Sequence, residues 1–341
     1  MKKIVGILAA AAVLATSVFA ADVSAKVKLT GDLFSYTKAS KSAIKLDNHK
    51  SHNWEPDLSL SVSGDQAGAK IDFKTLNEWT SGEGETSTNW NIWFKPLDIL
   101  KVNVGTVDVA LNKETIDWSS VTGVASAGGY GFEFSQDAIF FGAYLDQGWN
   151  NPWFTENNKI AKTAAKFAYS ADFGAISAMF IYDGIADTIE AGAGYANSSL
   201  VDGLSFFVDA KFVKAASNSV VADAFVNYAS GAFGIKAYVS PTINLGAGEA
   251  LAGLNWKVRL DYKIDSVGLY VVAKCDNITK AGGEVVDNKW AKNPVVIKPA
   301  VTGKCGSMDW EVAAEAKIAT GEAFKEDNFH LNVPVSFTVN F

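Results

Sequence analysis

The chain has 341 residues, with 30 basic against 37 acidic side chains, and its net charge of −7 argues against a nucleic-acid partner. Two cysteines, Cys275 and Cys305, are too few for a disulfide-dense secreted scaffold. Although 48% of the residues are hydrophobic, beyond the first twenty positions no stretch approaches the roughly 20 apolar residues of a spanning helix. A membrane barrel stays open, because its signal per strand is much weaker.

Lys2 and Lys3 precede an apolar run over residues 4–15, and Val18-Phe19-Ala20 ends in a small residue. These are the three regions of a secretory signal peptide, with cleavage expected after Ala20. The run is too short for a membrane anchor and Asp22 follows at once, so residues 21–341 are expected to be exported as one domain. Removing Lys2 and Lys3 leaves 28 basic against 37 acidic residues, a net charge of −9.

From Lys26 onward apolar and polar residues alternate with a period of two, which puts them on opposite faces of β-strands. Val27, Leu29 and Leu33 alternate with Lys26, Lys28 and Asp32; Ile71 and Phe73 alternate with Lys70, Asp72 and Lys74. Leu100, Val102 and Val104 begin a further strand, whereas residues 108–128 show no such alternation. Strands are expected near residues 160–171, 174–183, 188–197, 203–214, 219–229, 232–240, 252–265 and 267–275. The clearest pattern sets Trp256, Val258, Leu260 and Tyr262 against Lys257, Arg259, Asp261 and Lys263. Repeated along the chain, this describes a sheet that is apolar on one side and charged on the other.

Counting residues 294–301 gives eighteen strands. Pro294 and Pro299 lack backbone donors and weaken that segment, and sixteen is the alternative count. The connections after even-numbered strands are mostly short, while those after odd-numbered strands include all the long ones. A soluble sandwich has no reason to sort its loops by strand parity.

The last thirteen residues, FHLNVPVSFTVNF, set Phe329, Leu331, Val333, Val335, Phe337, Val339 and Phe341 on one face of a strand. A terminal Phe preceded by apolar residues at every second position resembles the closing strand of bacterial outer-membrane β-barrels. In that family this strand is also the signal read by the insertion machinery. The whole exported segment is similar in architecture to general porins, and among such barrels it resembles spirochaete porin-like barrels most. A single arginine, Arg259, departs from the arginine-rich constriction wall of general porins.

The resemblance implies an all-β, antiparallel, up-and-down transmembrane barrel with both termini periplasmic, set in the outer-membrane lipid of a diderm bacterium. It implies passive diffusion of ions and small hydrophilic solutes, often through a homotrimer. It also implies that the third long connection, near 108–128, folds inward as a constriction. Val109, Leu111, Ile116, Trp118 and Val121 are too apolar for a solvated loop and are expected on the inner wall, with Glu114 and Asp117 projecting into the channel. Lys28, Lys74, Lys257 and Arg259 are the expected opposing pore-lining cations. The alternatives are a carbohydrate-selective channel, with Trp118, Trp149, Trp153 and Trp290 stacking on sugars, and a non-conducting surface or adhesin barrel.

Catalysis is not expected. His49 and His52 share a loop with Asp47, Glu55 and Asp57, the residue types of an Asp–His pair or a metal site, but such loop residues are ordinarily just solvated. No phosphate loop or nucleophile elbow stands out, and the sequence implies no catalytic residue, cofactor or metal. On this layout Cys275 and Cys305 lie at opposite ends of the barrel, beyond disulfide reach.

Overall fold

The computed structural model describes residues 22–37, 55–74, 87–116, 125–146, 162–246, 251–275, 294–319 and 329–341. The expected signal peptide, residues 1–20, lies outside them. The described chain runs through β1 (Asp22–Thr37), β2 (Glu55–Ser63), β3 (Ala67–Lys74), β4 (Ser87–Leu97), β5 (Leu100–Val109) and β6 (Ala125–Gln136). It continues through β7 (Ile139–Asp146), β8 (Lys162–Ala171), β9 (Gly174–Asp183), β10 (Thr188–Asn197), β11 (Leu204–Lys214) and β12 (Ser219–Ser230). Then follow β13 (Phe233–Asn244), β14 (Leu251–Ile264), β15 (Val267–Cys275), β16 (Pro294–Cys305), β17 (Met308–Ala313), β18 (Glu315–Ala319) and β19 (Phe329–Asn340).

Each strand pairs antiparallel with its sequence neighbours, and β1 pairs with β19 through Lys26 opposite Asn340 and Leu29 opposite Phe337. The sheet therefore closes into a barrel without a free edge. Segments β17 and β18 both pair with β16 and β19 in one unbroken register, so they are two halves of a single wall strand. Nineteen segments thus make the eighteen wall strands that the hydrophobic period predicts.

Prolines explain why that strand is split. The amide of Ala314 donates to the carbonyl of Pro299 at 3.0 Å, but Pro299 has no N–H to return. The register with β19 puts Pro334 opposite Ala313, and it too lacks a donor. Two consecutive residues lose a ladder bond on opposite sides, and the strand breaks between them. Pro334 also adjoins the register shift between Asp32 and Ser35 on β1. The doubtful proline segment is a wall strand after all, and the disturbance falls on its neighbour.

Connections at one rim are tight. Residues 98–99, 137–138, 172–173, 231–232, 265–266 and 306–307 are two-residue turns. Asp137 and Asp265 (φ 50°), Gly231 (φ 58°) and Gly306 (φ 60°) open four of these with the positive φ that matches strand twist in a hairpin. Residues 64–66 and 198–203 complete that rim. Both ends of the described chain lie there, where Phe341 exchanges backbone hydrogen bonds with Ala25 at 2.8 and 3.3 Å. The longer connections all belong to the opposite rim. Cys275 ends β15 at that far rim and Cys305 ends β16 at the tight one. The ten steps from Val295, opposite Cys275, to Cys305 span about 30 Å at the rise of a strand. Cys275 and Cys305 are not joined by a disulfide.

The faces follow the period. Leu29, Phe94, Phe132, Phe141, Phe180, Leu260 and Val271 are exposed on the outside as an apolar belt. Most of the buried residues lie on the other face, together with most of the charge. Its apolar members form two clusters, Val109, Leu111, Tyr144, Ala164, Met179 and Ile181 in one, Ile116, Phe207, Phe225, Tyr238, Tyr270 and Val272 in the other. The hydrophobic core of this protein is therefore inside the barrel, and residues from the segment after β5 sit in both clusters.

Two glycines test the turn geometry separately from contact. At Gly203 (φ +75°) an added Cβ would stand 2.1 Å from the carbonyl oxygen of Ala229, whereas at Gly231 (φ +58°) it would meet open space. Gly231→Ala should cost about 1 kcal/mol for the left-handed backbone alone, and Gly203→Ala upward of about 2 kcal/mol. Urea midpoints of the folded barrel measure both. Equal costs would mean that the six-residue turn relaxes freely.

Candidate functional site

The site is built where the chain leaves β5. Instead of returning at once to β6, residues 110–116 run along the interior and are gripped by side chains from wall strands far apart in sequence. Lys166 on β8 donates its ammonium to the carbonyls of Ala110 and of Leu111, the latter at 3.2 Å. Asn112 Nδ2 donates to Asp209 Oδ1 on β11 at 2.7 Å. Lys236 on β13 reaches the carbonyl of Thr115 at 3.0 Å, and Arg259 on β14 that of Ile116 at 3.4 Å. One short segment can touch strands β8, β11, β13 and β14 only by lying inside the barrel. The wall cations hold backbone carbonyls that have no sheet to bond to.

At the centre of this seam is a buried ion pair. Lys257 Nζ lies 2.9 Å from Glu114 Oε1, with side chains 1% and 0% exposed. The second oxygen of Glu114 accepts the amide of Ile116 at 2.6 Å, closing a tight turn. The ammonium of Lys257 also lies over the Tyr238 ring at 5.8 Å. Glu114 and Lys257, expected as lining groups, are turned into the seam between segment and wall.

The fit needs missing side chains. On β10 a Cβ at Gly192 would come 2.9 Å from Leu111 Cδ1, and one at Gly194 would come 1.9 Å from Asp209 Oδ1 and 3.0 Å from Asn112 Nδ2. These glycines occupy alternate, inward positions of TIEAGAGYAN and cut a notch for Leu111 and Asn112. Glycine at every second position of a strand was the legible signal of a close approach. Nothing local in the sequence marks Lys166, Lys236 or Asn112 as anchors.

On the tight-turn side of the segment the interior opens into a cavity of about 1210 Å³ lined by charged and hydroxyl side chains. Lys28 on β1 and Arg259 are among them. Arg259 binds Asp261 at 2.7 Å and its guanidinium lies 4.0 Å from the centre of the Tyr270 ring. Lys298 pairs with Glu311 at 2.7 Å, Lys70 with Asp72 at 2.8 Å and Lys304 with Asp309 at 3.3 Å, so both signs alternate around the wall. Lys74 closes β3 opposite Ser87. Asp117, Trp118, Val121, Trp149, Trp153, Trp290, His49 and His52 lie outside the described residues.

No family model matches the chain, and no curated protein sequence does either. Solved structures do resemble it. OccK5 (OpdH) of Pseudomonas aeruginosa superposes with a TM-score of 0.57 at 10% identity, over 94% of this chain and 98% of that one. The outer membrane protein OprD of the same organism gives 0.55 at 10% identity over 94% of each chain. OpdQ of Pseudomonas aeruginosa gives 0.57 at 10% over 94% and 99%. At such identities the likeness is one of fold.

Breaking one partner of a buried pair leaves the other charge without compensation, whereas replacing both is close to neutral. Lys257→Met and Glu114→Gln should each lower stability by about 3–5 kcal/mol, and the double variant should recover most of that loss. Urea titrations of the two singles and the double form the cycle. Additive losses would mean that the pair does not brace the segment.

Proposed function

We propose that this protein is an outer-membrane porin, a passive channel for ions and small hydrophilic solutes in a diderm bacterium. The observation that carries the reading is a closed eighteen-strand wall, apolar outside, around a charged interior cavity. A barrel of this strand number is too wide for its side chains to fill. A wall apolar outside and polar inside is stable only with hydrocarbon around it and water within it. The export signal and the terminal strand ending in Phe341 support the same location, with the tight-turn rim and both termini in the periplasm and the insertion machinery engaging that strand. OprD, whose fold this chain shares, is an outer membrane protein, which agrees.

The segment that starts at Ala110 is the constriction. Its apolar residues hold it to the wall and the Glu114–Lys257 pair braces it, and Asp117, Lys28, Lys74 and Arg259 are the charges we propose for the lining of the remaining opening. Charges so placed act on a permeating ion through low-dielectric walls. Homotrimers, as in the porins that the sequence resembles, are the expected assembly.

Planar-bilayer recording tests the function directly. Purified protein should give stepwise, ohmic conductance, with a weak cation preference in about 0.1 M salt that fades near 1 M, where the Debye length falls to about 3 Å. Gly194→Val should dislodge the segment from its notch and raise the conductance of each step. A folded barrel that never conducts would sink the channel reading and leave a surface or adhesin barrel. Unchanged conductance in Gly194→Val would remove the constriction role alone.

A further inference from the structure

Of the eight described connections at the tight rim, seven have two or three residues, and residues 198–203 have six. The channel reading gives that extra length no role. The tip of this turn is apolar, with Leu200 69% and Val201 51% exposed. In the neighbouring turn Phe173 is 54% exposed. Apolar side chains grouped on a surface in this way mark a contact with something other than water.

Strand register fixes the side of the wall to which the turn leans. Tyr195 on β10 stands opposite Ile176 on β9 and Val208 on β11, both exposed in the outer belt. Asn197, two residues further on, shares that outer face and stands opposite Phe206. Yet Asn197 is only 6% exposed, because the turn folds back over it. Its Oδ1 accepts the amides of Ser199 and Leu200, both at 2.9 Å. Its Nδ2 donates to the carbonyl of Phe173 at 2.7 Å and to the Tyr195 hydroxyl at 3.0 Å. That hydroxyl donates to the same carbonyl, and Ser199 Oγ donates to the carbonyl of Asp172 at 3.3 Å. The two turns are thereby joined into one braced ledge on the outside of the barrel.

The ledge is prepared for an apolar surrounding. The carbonyls of Val201 and Gly203 accept the amides of Leu204 and Ala229 at 3.0 and 2.9 Å, so much of its backbone is satisfied without water. Aromatic rings stand beside it on the outer wall, Tyr169 at 6.4 Å from Phe173 and Phe206 at 5.9 Å from Tyr195. Rings with a polar tip suit the boundary between hydrocarbon and headgroups. None of these residues borders the interior cavity.

We propose that residues 198–203, together with Phe173, form an interfacial anchor that sets Leu200 and Val201 into the lipid leaflet at the tight rim. The occupant is lipid because the ledge continues the lipid-facing belt and turns away from the lumen. Anchors at the interface fix the height and tilt of a membrane protein. A turn held rigid by Asn197 does so without ordering itself anew on contact. The inference needs the barrel in a membrane and holds whether or not the barrel conducts.

Nitroxide labels at Leu200→Cys and Val201→Cys, in a Cys275→Ala and Cys305→Ser background, measure the depth in vesicles of phosphatidylethanolamine and phosphatidylglycerol. Oxygen concentrates in hydrocarbon and a nickel chelate in water, so the ratio of their collision rates reports immersion. Both labels should lie about 5–10 Å into the headgroup–acyl boundary. Their ratio should be several times that of Ala232→Cys, which borders the cavity, and approach that of Val208→Cys in the outer belt. Asn197→Ala removes four bonds of the network and should bring the ratio down toward the Ala232→Cys value. Should Asn197→Ala fail to fold, Tyr195→Phe, which removes one hydroxyl, should shift the ratio the same way by less. Ratios at 200 and 201 no higher than at 232 overturn the anchor. Broadening between labels that vanishes on dilution with unlabelled protein also overturns it, since a second copy would then cover the ledge. A ratio that neither Asn197→Ala nor Tyr195→Phe moves overturns the bracing by Asn197.

Discussion

Closure of the sheet is the constraint on which everything else rests. In a wall of antiparallel strands each backbone donor and acceptor needs a neighbour, and β1 finds its second one in β19. With that pairing made, no strand edge is left, and the outer face can be apolar throughout without exposing a polar backbone. The tolerance of such a wall is visible where it is most tested. Pro299 and Pro334 remove two donors beside Ala313 and Ala314, yet the register continues unchanged from β17 into β18. Ladders on either side of a gap hold the halves in line.

Closing eighteen strands creates a second problem, because the space inside is too wide to fill with wall side chains. The chain meets it by folding residues 110–116 inward. Ile116 enters one apolar cluster while Val109 and Leu111 enter the other, and the wall contributes Tyr144, Met179, Phe207, Phe225 and Tyr238 to the two. The polar backbone of the segment is satisfied by side chains instead of by a strand. Lysine suits that work, since its long stem lies along the wall while its ammonium reaches a carbonyl. Burial of the Glu114–Lys257 pair follows from the same packing. It places the segment by its geometry, and a pair so enclosed is a device of position more than a large source of net stability.

The sequence by itself determined the barrel. A period of two, repeated with apolar residues on one face, leaves little choice of architecture. The sorting of connection lengths by strand parity put the tight turns and both termini at one rim, as the strand pairings do. These features are local in the chain, and local spacing is what a sequence states directly. The inward preference of Val109, Leu111 and Ile116 was legible for a similar reason, since they are too apolar for water.

Only the tertiary structure decided what those residues meet. Glu114 and Lys257 are 143 positions apart, and no periodicity joins them. Parity treats Lys257 and Arg259 alike, and it could not separate a lysine buried against Glu114 from an arginine bordering the open cavity. The fit of Asp209 and Asn112 over Gly194 exists only because neighbouring strands align in register, and each residue alone reads as ordinary. Contacts of this kind depend on how the barrel closes around its own inner segment. That is a property of the whole ring of strands, which no single stretch of sequence contains.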